Sequence, residues 1–177
     1  MEISFEGITL RPWKIGDAQQ LASIADNKKI SDNLRDGFPS PYTEKDALDW
    51  LSLIIPENNP PRLFAIIYDN RLVGNIGLVT KDNIYRKNIE IGFFVSEQWW
   101  GKGIATRAIK CATAYAFRQF DIIRVYAEVF SENIGSRRAL EKAGFTLEAT
   151  FHCNIFKRGI IMNSCIYSVL KENYPGV

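Results

Sequence analysis

The sequence predicts an α/β (α+β) architecture: a mixed sheet flanked by helices, in a single domain spanning residues 1–177. Three observations lead there. Apolar, β-branched runs of strand length alternate with segments whose apolar residues recur at helical spacing. Hydrophobic residues make up 46% and charged residues 24% of the 177 positions, a balance that suits one compact core. No linker-like stretch or internal repeat interrupts the chain.

The elements follow in order. Ile8 to Arg11 is the first expected strand, and Asp17 with Gln20 forms a capping pair for a helix reaching about Ala25. Thr43 and Asp46 open a second helix, with Ala47, Leu48, Leu51 and Ile54 or Ile55 on one face and Pro56 as its stop. Leu63 to Tyr68 and Leu72 to Val79 flank Asp69-Asn70 and read as a hairpin. Asn88 to Val95 is the next strand. Ile104, Ala108, Cys111, Ala112 and Tyr115 then recur on one face of a helix from Gly103 to Gln119. Ile122 to Phe130 is a β-branched strand, and Ile134 to Ala143 a helix that ends at Gly144. Thr146 to Asn154 and Ile160 to Leu170 complete the sheet.

Composition excludes several classes of function. A formal net charge of +2, a pI near 8.4 and scattered Lys and Arg give no basis for nucleic-acid binding by bulk charge. No apolar run is long enough to cross a membrane, and MEISFEGITLRPW lacks the basic and apolar regions of a secretion signal. Three cysteines and one histidine do not fit the usual zinc spacings, so no metal is expected, and the odd cysteine count suits a reducing cytoplasm. His152 and Cys153 are neighbours on an expected strand and so point to opposite faces, which leaves ordinary packing as the role of each.

The segment NIEIGFFVSEQWWGKGIA, Asn88 to Ala105, is the most informative. A buried strand runs into a glycine-spaced turn, Gln98-x-x-Gly101-x-Gly103, and then opens a helix. Such a junction aims backbone N–H groups and the positive end of a helix dipole at an anion, above all a phosphate or pyrophosphate. Glycines at 101 and 103 let a diphosphate approach the backbone, and the Thr106 hydroxyl lies in the first helical turn. The turn lacks the Lys-Ser/Thr of a Walker loop and the spacing of a dinucleotide fingerprint. The other reading is a tight turn that serves connection alone.

These residues resemble the core of the GNAT superfamily of acetyl-CoA-dependent N-acetyltransferases. Gln98-x-x-Gly101-x-Gly103 matches that family's cofactor signature, and Asn133-Ile-Gly-Ser136 with Glu141-Lys142-Ala-Gly144-Phe145 resembles its second cofactor-side element. Leu10-Arg11-Pro12, Pro41-Tyr42-Thr43, Gly74-Asn-Ile-Gly77, Glu90-Ile-Gly92 and Tyr167 are similar to the RimJ/RimL branch, the ribosomal-protein N-acetyltransferases. The resemblance covers nearly the whole chain. It implies a mostly antiparallel sheet splayed at its centre and acetyl-CoA as cosubstrate. On that basis the expected cofactor-binding residues are Phe94, Val95, Gln98, Trp99, Trp100, Gly101, Lys102, Gly103, Ile104, Ala105, Thr106, Asn133 and Ser136. A backbone amide at Val95 or its neighbour would hydrogen-bond the thioester oxygen, a donor of a kind whose loss costs about 3–4 kcal/mol.

The chemistry then turns on the acceptor's proton. A lysine-like amine of pKa about 10.4 carries a deprotonation penalty of roughly 4–5 kcal/mol near neutrality, against about 1 kcal/mol for an α-amino group. A weakly basic route therefore suits a protein N-terminus better than a lysine or polyamine. Glu90 is the leading candidate base, on the strand face opposite Ile89, Ile91, Phe93 and Val95, and burial of an isolated carboxylate there would raise its pKa. Its alternative is a structural carboxylate that accepts hydrogen bonds. Many relatives protonate the leaving thiolate from a tyrosine, but the corresponding position here is Leu140; Ser136, one turn beyond Asn133, is the candidate contact to the thiol, with Asn133 on the pantetheine arm. Ser136 otherwise serves as a capping or solvent-facing residue.

Substrate contacts are expected from Asp32 to Tyr42, which resembles the acceptor-side loop of the branch. Asn33, Arg35, Asp36, Phe38 and Tyr42 line a cleft in this reading, while Arg35 and Asp36 pair with each other in the alternative. Trp99 and Trp100 cover the cofactor, pack under the turn or form a subunit contact. Asn163 stands where the branch often carries an acidic residue. The expected function is direct transfer of an acetyl group to a primary amine in a ternary complex, with a protein N-terminus, polyamine, amino acid or antibiotic as acceptor. A homodimer through exposed strand edges is a further expectation. A non-catalytic acyl-CoA sensor is the alternative from another class.

Overall fold

The computed structural model describes residues 2–175. One eight-stranded sheet has the order β1-β2-β3-β4-β5-β6-β8-β7. The strands are β1 (Ile3–Phe5), β2 (Ile8–Pro12), β3 (Leu63–Tyr68), β4 (Arg71–Thr80), β5 (Asn88–Val95), β6 (Arg124–Phe130), β7 (Thr146–Lys157) and β8 (Ile160–Leu170). The helices are α1 (Ala18–Ala25), α2 (Lys28–Ser31), α3 (Glu44–Glu57), α4 (Ile104–Gln119) and α5 (Ile134–Lys142). Pairing is antiparallel from β1 to β4 and among β6, β8 and β7. The β5–β6 register is parallel and joins Asn88, Ile89 and Glu90 to Arg124, Val125 and Tyr126; both strands run on past it. The result is the mixed, mostly antiparallel sheet with flanking helices that the sequence implied.

Two compact units make up the chain, Met1–Gly77 with Phe93–Ile104, and Leu78–Gly92 with Ala105–Val177. In the first, α1 and α3 close one side of the β2–β3–β4 meander around Trp13, Leu21, Ala25, Tyr42, Ala47, Leu51 and Ala65. Thr43 caps α3 as expected: its hydroxyl accepts from Asp46 N at 3.2 Å, and the Asp46 carboxylate accepts from Thr43 N at 2.8 Å. The β3–β4 turn has Asp69 and Asn70 both at positive φ, the geometry its twist requires. In the second unit, the apolar face of α4 (Ala108, Ile109, Ala112, Ala116) and the β6 residues Val125 and Ala127 are fully buried, as are Leu140 and Tyr167.

Several boundaries differ from the sequence reading, each for a physical reason. The strand β1 and helix α2 are too short to show a period and were not anticipated. Asp17 does not cap α1; its carboxylate accepts from Lys14 N at 2.9 Å and holds Arg11 through two bonds of 2.7 and 2.8 Å. Burial pushes the Asp17 pKa up, but the Arg11 and Lys14 hydrogen bonds outweigh it and leave the carboxyl below its ordinary value. Helix α3 runs through Pro56 to Glu57, because in the last turn the missing N–H removes one bond at an end that is about to fray. The strand β6 begins at Arg124 rather than Ile122, and Ile123 is exposed. His152 and Cys153 are both exposed, so packing is not their role; Cys153 sits at φ 54° where the β7–β8 register shifts between Phe151 and Ile155.

Candidate active site

The junction after β5 is built almost wholly from main chain. Gly101 and Gly103 adopt φ of 77° and 72°, left-handed values that an L side chain rarely adopts, and α4 begins at Ile104. A Cβ at either glycine would meet nothing within 4 Å. The glycines are therefore required by conformation, and the space before them is open. The first turn of α4, Ile104 to Thr106, carries the amides that every helix start leaves without an intrahelical acceptor.

The turn is narrower as an anion cradle than the sequence suggested. Trp99 N bonds Ser96 O at 2.9 Å and Trp100 N bonds Glu97 O at 3.0 Å, so these two amides are spent inside the turn. Ser96 N, the neighbour of Val95, is likewise committed to Val73 O at 2.8 Å. The Trp100 indole donates to Val95 O at 2.6 Å, and the Trp99 ring packs edge-on against Tyr68 with centroids 5.4 Å apart. Lys102 lies over the Trp99 ring at 4.3 Å. Of the three roles considered for the tryptophans, packing under the turn is the one seen for Trp99, while Trp100, half exposed, ties the turn to the strand end.

The strand end itself is fixed by β4. A Cβ at Gly74 would lie 2.3 Å from Phe94 O and 3.1 Å from Val95 Cα, so glycine is demanded by close backbone approach. On the loop that follows α2, Phe38 stacks against Tyr42 at 4.9 Å and meets Phe94 edge-on at 5.8 Å. This brings one of the expected substrate residues to the end of β5. Tyr42 belongs to the core, 7% exposed, with burial and then the nearby Asp46 charge pushing its phenol up to about 12. Arg35 and Asp36 are exposed, and Asn33 bonds Lys29 O at 2.9 Å.

Glu90 is not the isolated carboxylate of the sequence reading. Its Oε2 accepts from Lys81 Nζ at 2.6 Å and from the Tyr126 hydroxyl at 3.5 Å, with the side chain 13% exposed. The Glu90 hydrogen bond leads the influences that hold the Lys81 ammonium above its ordinary pKa. Lys81 and Arg124 both lie over the Tyr126 ring, at 5.7 and 4.7 Å. Arg124 in turn bonds Asn88 at 3.1 Å and pairs with Glu148.

A second carboxylate, unforeseen in the sequence, lies two residues along the same face of β6 as Tyr126. Glu128 accepts from Ser164 Oγ at 2.7 Å and Asn154 Nδ2 at 3.4 Å, and it pairs with no cation among the described residues. Asn154 reaches this position because the bulge at Cys153 re-aims it; its amide also bonds Ser164 Oγ at 2.8 Å. On α5, Asn133 Oδ1 accepts from Ser136 N at 3.1 Å and caps the helix. Ser136 is half-buried in the first turn, and Leu140 is fully buried. The Tyr167 hydroxyl donates to Glu141 at 2.8 Å and accepts from Arg137 at 3.1 Å, which makes it a strut between β8 and α5.

A strand, a left-handed glycine turn and a helix start follow one another along the chain from β5 to α4. The model of the acetyltransferase (GNAT) domain family matches residues 8–146, and this chain belongs to that family. It is an enzyme of the N-acetyltransferase class, and its fold is like those of RimJ and RimL. YdaF of Bacillus subtilis (strain 168), provisionally named a ribosomal N-acetyltransferase, is 29% identical over 185 residues, 97% of this chain and 95% of that protein. Spermidine N(1)-acetyltransferase of Escherichia coli (strain K12) is 26% identical over 97% of this chain and 90% of its own length. Among solved structures, Mycobacterium smegmatis RimJ in complex with CoA-disulfide superposes with a TM-score of 0.84 at 23% identity, covering 99% of this chain and 88% of that one. No helix among the described residues is long and apolar enough to cross a membrane.

Proposed function

We propose that this enzyme transfers the acetyl group of acetyl-CoA to a primary amine by direct attack in a ternary complex, with a protein N-terminal α-amine as the favoured acceptor. The observation that carries this reading is the turn at Gly101 and Gly103, held in left-handed conformation with open space before it at the start of α4. The pyrophosphate is assigned to the amides from Gly101 to Thr106, and the thioester oxygen to an amide of Phe94 or Val95. Asn133 and Ser136 face the pantetheine arm and the thiol. The amine nitrogen attacks the thioester carbon, the C–S bond breaks, and the thiolate leaves with coenzyme A. The displaced amine proton passes to a carboxylate, directly or through water. Similarity to a spermidine acetyltransferase supports a second acceptor class, polyamines.

Two carboxylates compete for the role of base. Glu90 stands on the β5 strand that leads to the thioester amide, but Lys81 already neutralises it. Glu128 is held by neutral donors alone. Thiol release from acetyl-CoA, measured with an N-terminal peptide panel and spermidine across pH, separates them. Replacing the true base, by Glu90→Gln or Glu128→Gln, lowers kcat by about 10²-fold or more and flattens its pH dependence. An unchanged pH profile removes that residue from the role, and acceptor-independent thiol release overturns the transfer itself.

The enzyme is assigned to the cytoplasm, a reading supported by the three cysteines, none of which forms a disulfide among the described residues. A homodimer is supported by the terminal hairpin: β7 ends the strand order, and Leu147, Phe151, Phe156, Ile160 and Ile161 along β7 and β8 are exposed. Sedimentation of Phe156→Glu as a monomer, with the parent a dimer, is the expected result.

A further inference from the structure

The cofactor turn and the acceptor-side loop are joined at one side chain. Glu97 opens the turn after β5, and its carboxylate receives the Asn27 amide at 2.8 Å and the Lys29 ammonium. These contacts, led by Lys29, hold the Glu97 carboxyl below its ordinary pKa. Asn27 acts in two directions at once: Nδ2 donates to Glu97, while Oδ1 accepts from Lys29 N at 2.8 Å and caps α2. The loop that leaves α2 is anchored at its start by Asn33 on Lys29 O and at its end by Tyr42 N on Asp26 Oδ1 at 3.0 Å. The residues on either side of the α1–α2 junction, Asp26 and Asn27, thus hold the far end of the loop and the turn respectively. Phe38 against Phe94 adds a second attachment, just before the same turn.

We infer that Glu97 is a positioning residue that couples cofactor binding at the Gly101–Gly103 turn to the order of the acceptor loop, residues 32–42, through Asn27 and Lys29. A ligand that fixes the turn fixes Glu97; Glu97 holds the α2 cap; the cap sets the loop. Neither the turn nor the loop needs to change fold. Coupling of this kind arises when one binding event lowers the ordering cost of the next. Acceptor binding is then favoured once coenzyme A is in place.

The inference rests on the cofactor reading above, and the experiment separates the two. Amide hydrogen exchange of residues 33–40 is measured with and without saturating coenzyme A, with binding checked by calorimetry. In the wild type, coenzyme A slows exchange of the loop by about tenfold, within the usual range of site-to-site coupling. Asn27→Ser keeps a side-chain oxygen for the α2 cap but removes the amide that reaches Glu97, and Glu97→Ala removes the acceptor of both the Asn27 amide and the Lys29 ammonium. Each variant binds coenzyme A; Asn27→Ser weakens the loop protection and Glu97→Ala abolishes it, while exchange in β6 and β8 stays as in the parent. The apparent KM for the amine probe, spermidine or an N-terminal serine peptide, rises about five- to tenfold with kcat little changed. Coenzyme A binding without loop protection in the wild type, or equal protection in Glu97→Ala, overturns the coupling alone. Failure of the wild type to bind coenzyme A overturns the functional reading and this inference together.

Discussion

The turn from Ser96 to Ile104 and the loop from Asp32 to Tyr42 are tied together through Asn27 and Phe38 but are held by different means. The turn is a backbone device: two left-handed glycines, amide bonds inside the turn, and a strand end pressed against Gly74. The loop is held by side chains: Asn27 and Asp26 at its stem, Phe38 and Tyr42 on its apolar face. A backbone device tolerates few substitutions and presents the same donors to the same ligand. A loop held by side chains can exchange its exposed residues while its anchors stay. An acetyltransferase needs both, since the donor is constant and the acceptor varies from relative to relative.

The comparison can be broken at either end. The largest effect is expected from Gly74→Ala, whose methyl would sit 2.3 Å from Phe94 O. Since backbone must shift, the variant loses about 3 kcal/mol or more of stability by denaturant titration and binds coenzyme A poorly. A stable variant with normal affinity would show that the strand end is not fixed by β4. Gly103→Val comes next. The valine has room but not the conformation, so coenzyme A affinity falls by about ten- to a hundredfold in calorimetry, the equivalent of about 1–3 kcal/mol of backbone strain. Unaltered affinity would count against the cradle.

The smallest effect belongs to the loop anchor. Tyr42 ionises at about 12 in the folded protein against about 10 unfolded, because burial and the Asp46 charge disfavour the phenolate. Its contribution to stability is present in full below pH 10 and is lost as pH rises through about 12. Tyr42→Phe therefore changes stability little at neutral pH, by about 1 kcal/mol or less, and reduces the alkaline slope of unfolding between pH 10 and 12. A Tyr42→Phe protein with the parent's alkaline slope would place that phenol in solvent.

What the sequence made legible follows the same division. Helical periods, the Thr43–Asp46 cap, the Asp69-Asn70 turn and the glycine junction are set by residues within a few positions of one another, where local rules act. The Asn27–Glu97 tie spans 70 positions and the Glu128–Ser164 bond spans 36, and nothing in a single chain marks such partners. Lys81, just past the end of β4, and Glu90 on β5 are nine residues apart, so the neutralising lysine was hidden by the turn that brings it there. The Asn154 contact needed the β7 bulge as well, and Cys153 gave no warning of it, since a cysteine at positive φ follows from no propensity.

The tight crossing of β4 under the end of β5 has a consequence for how such an enzyme can change its chemistry. With the Phe94 and Val95 main chain and the Ile66 side chain packed against Gly74, that position has no volume into which a side chain could grow. Adaptation to a bulkier or differently charged amine would then come from the loop of Asn33, Arg35, Asp36 and Phe38, a segment held at its ends by Lys29 and Asp26. Acceptor range would drift by exchange of that loop while the acyl-donor side stays the same.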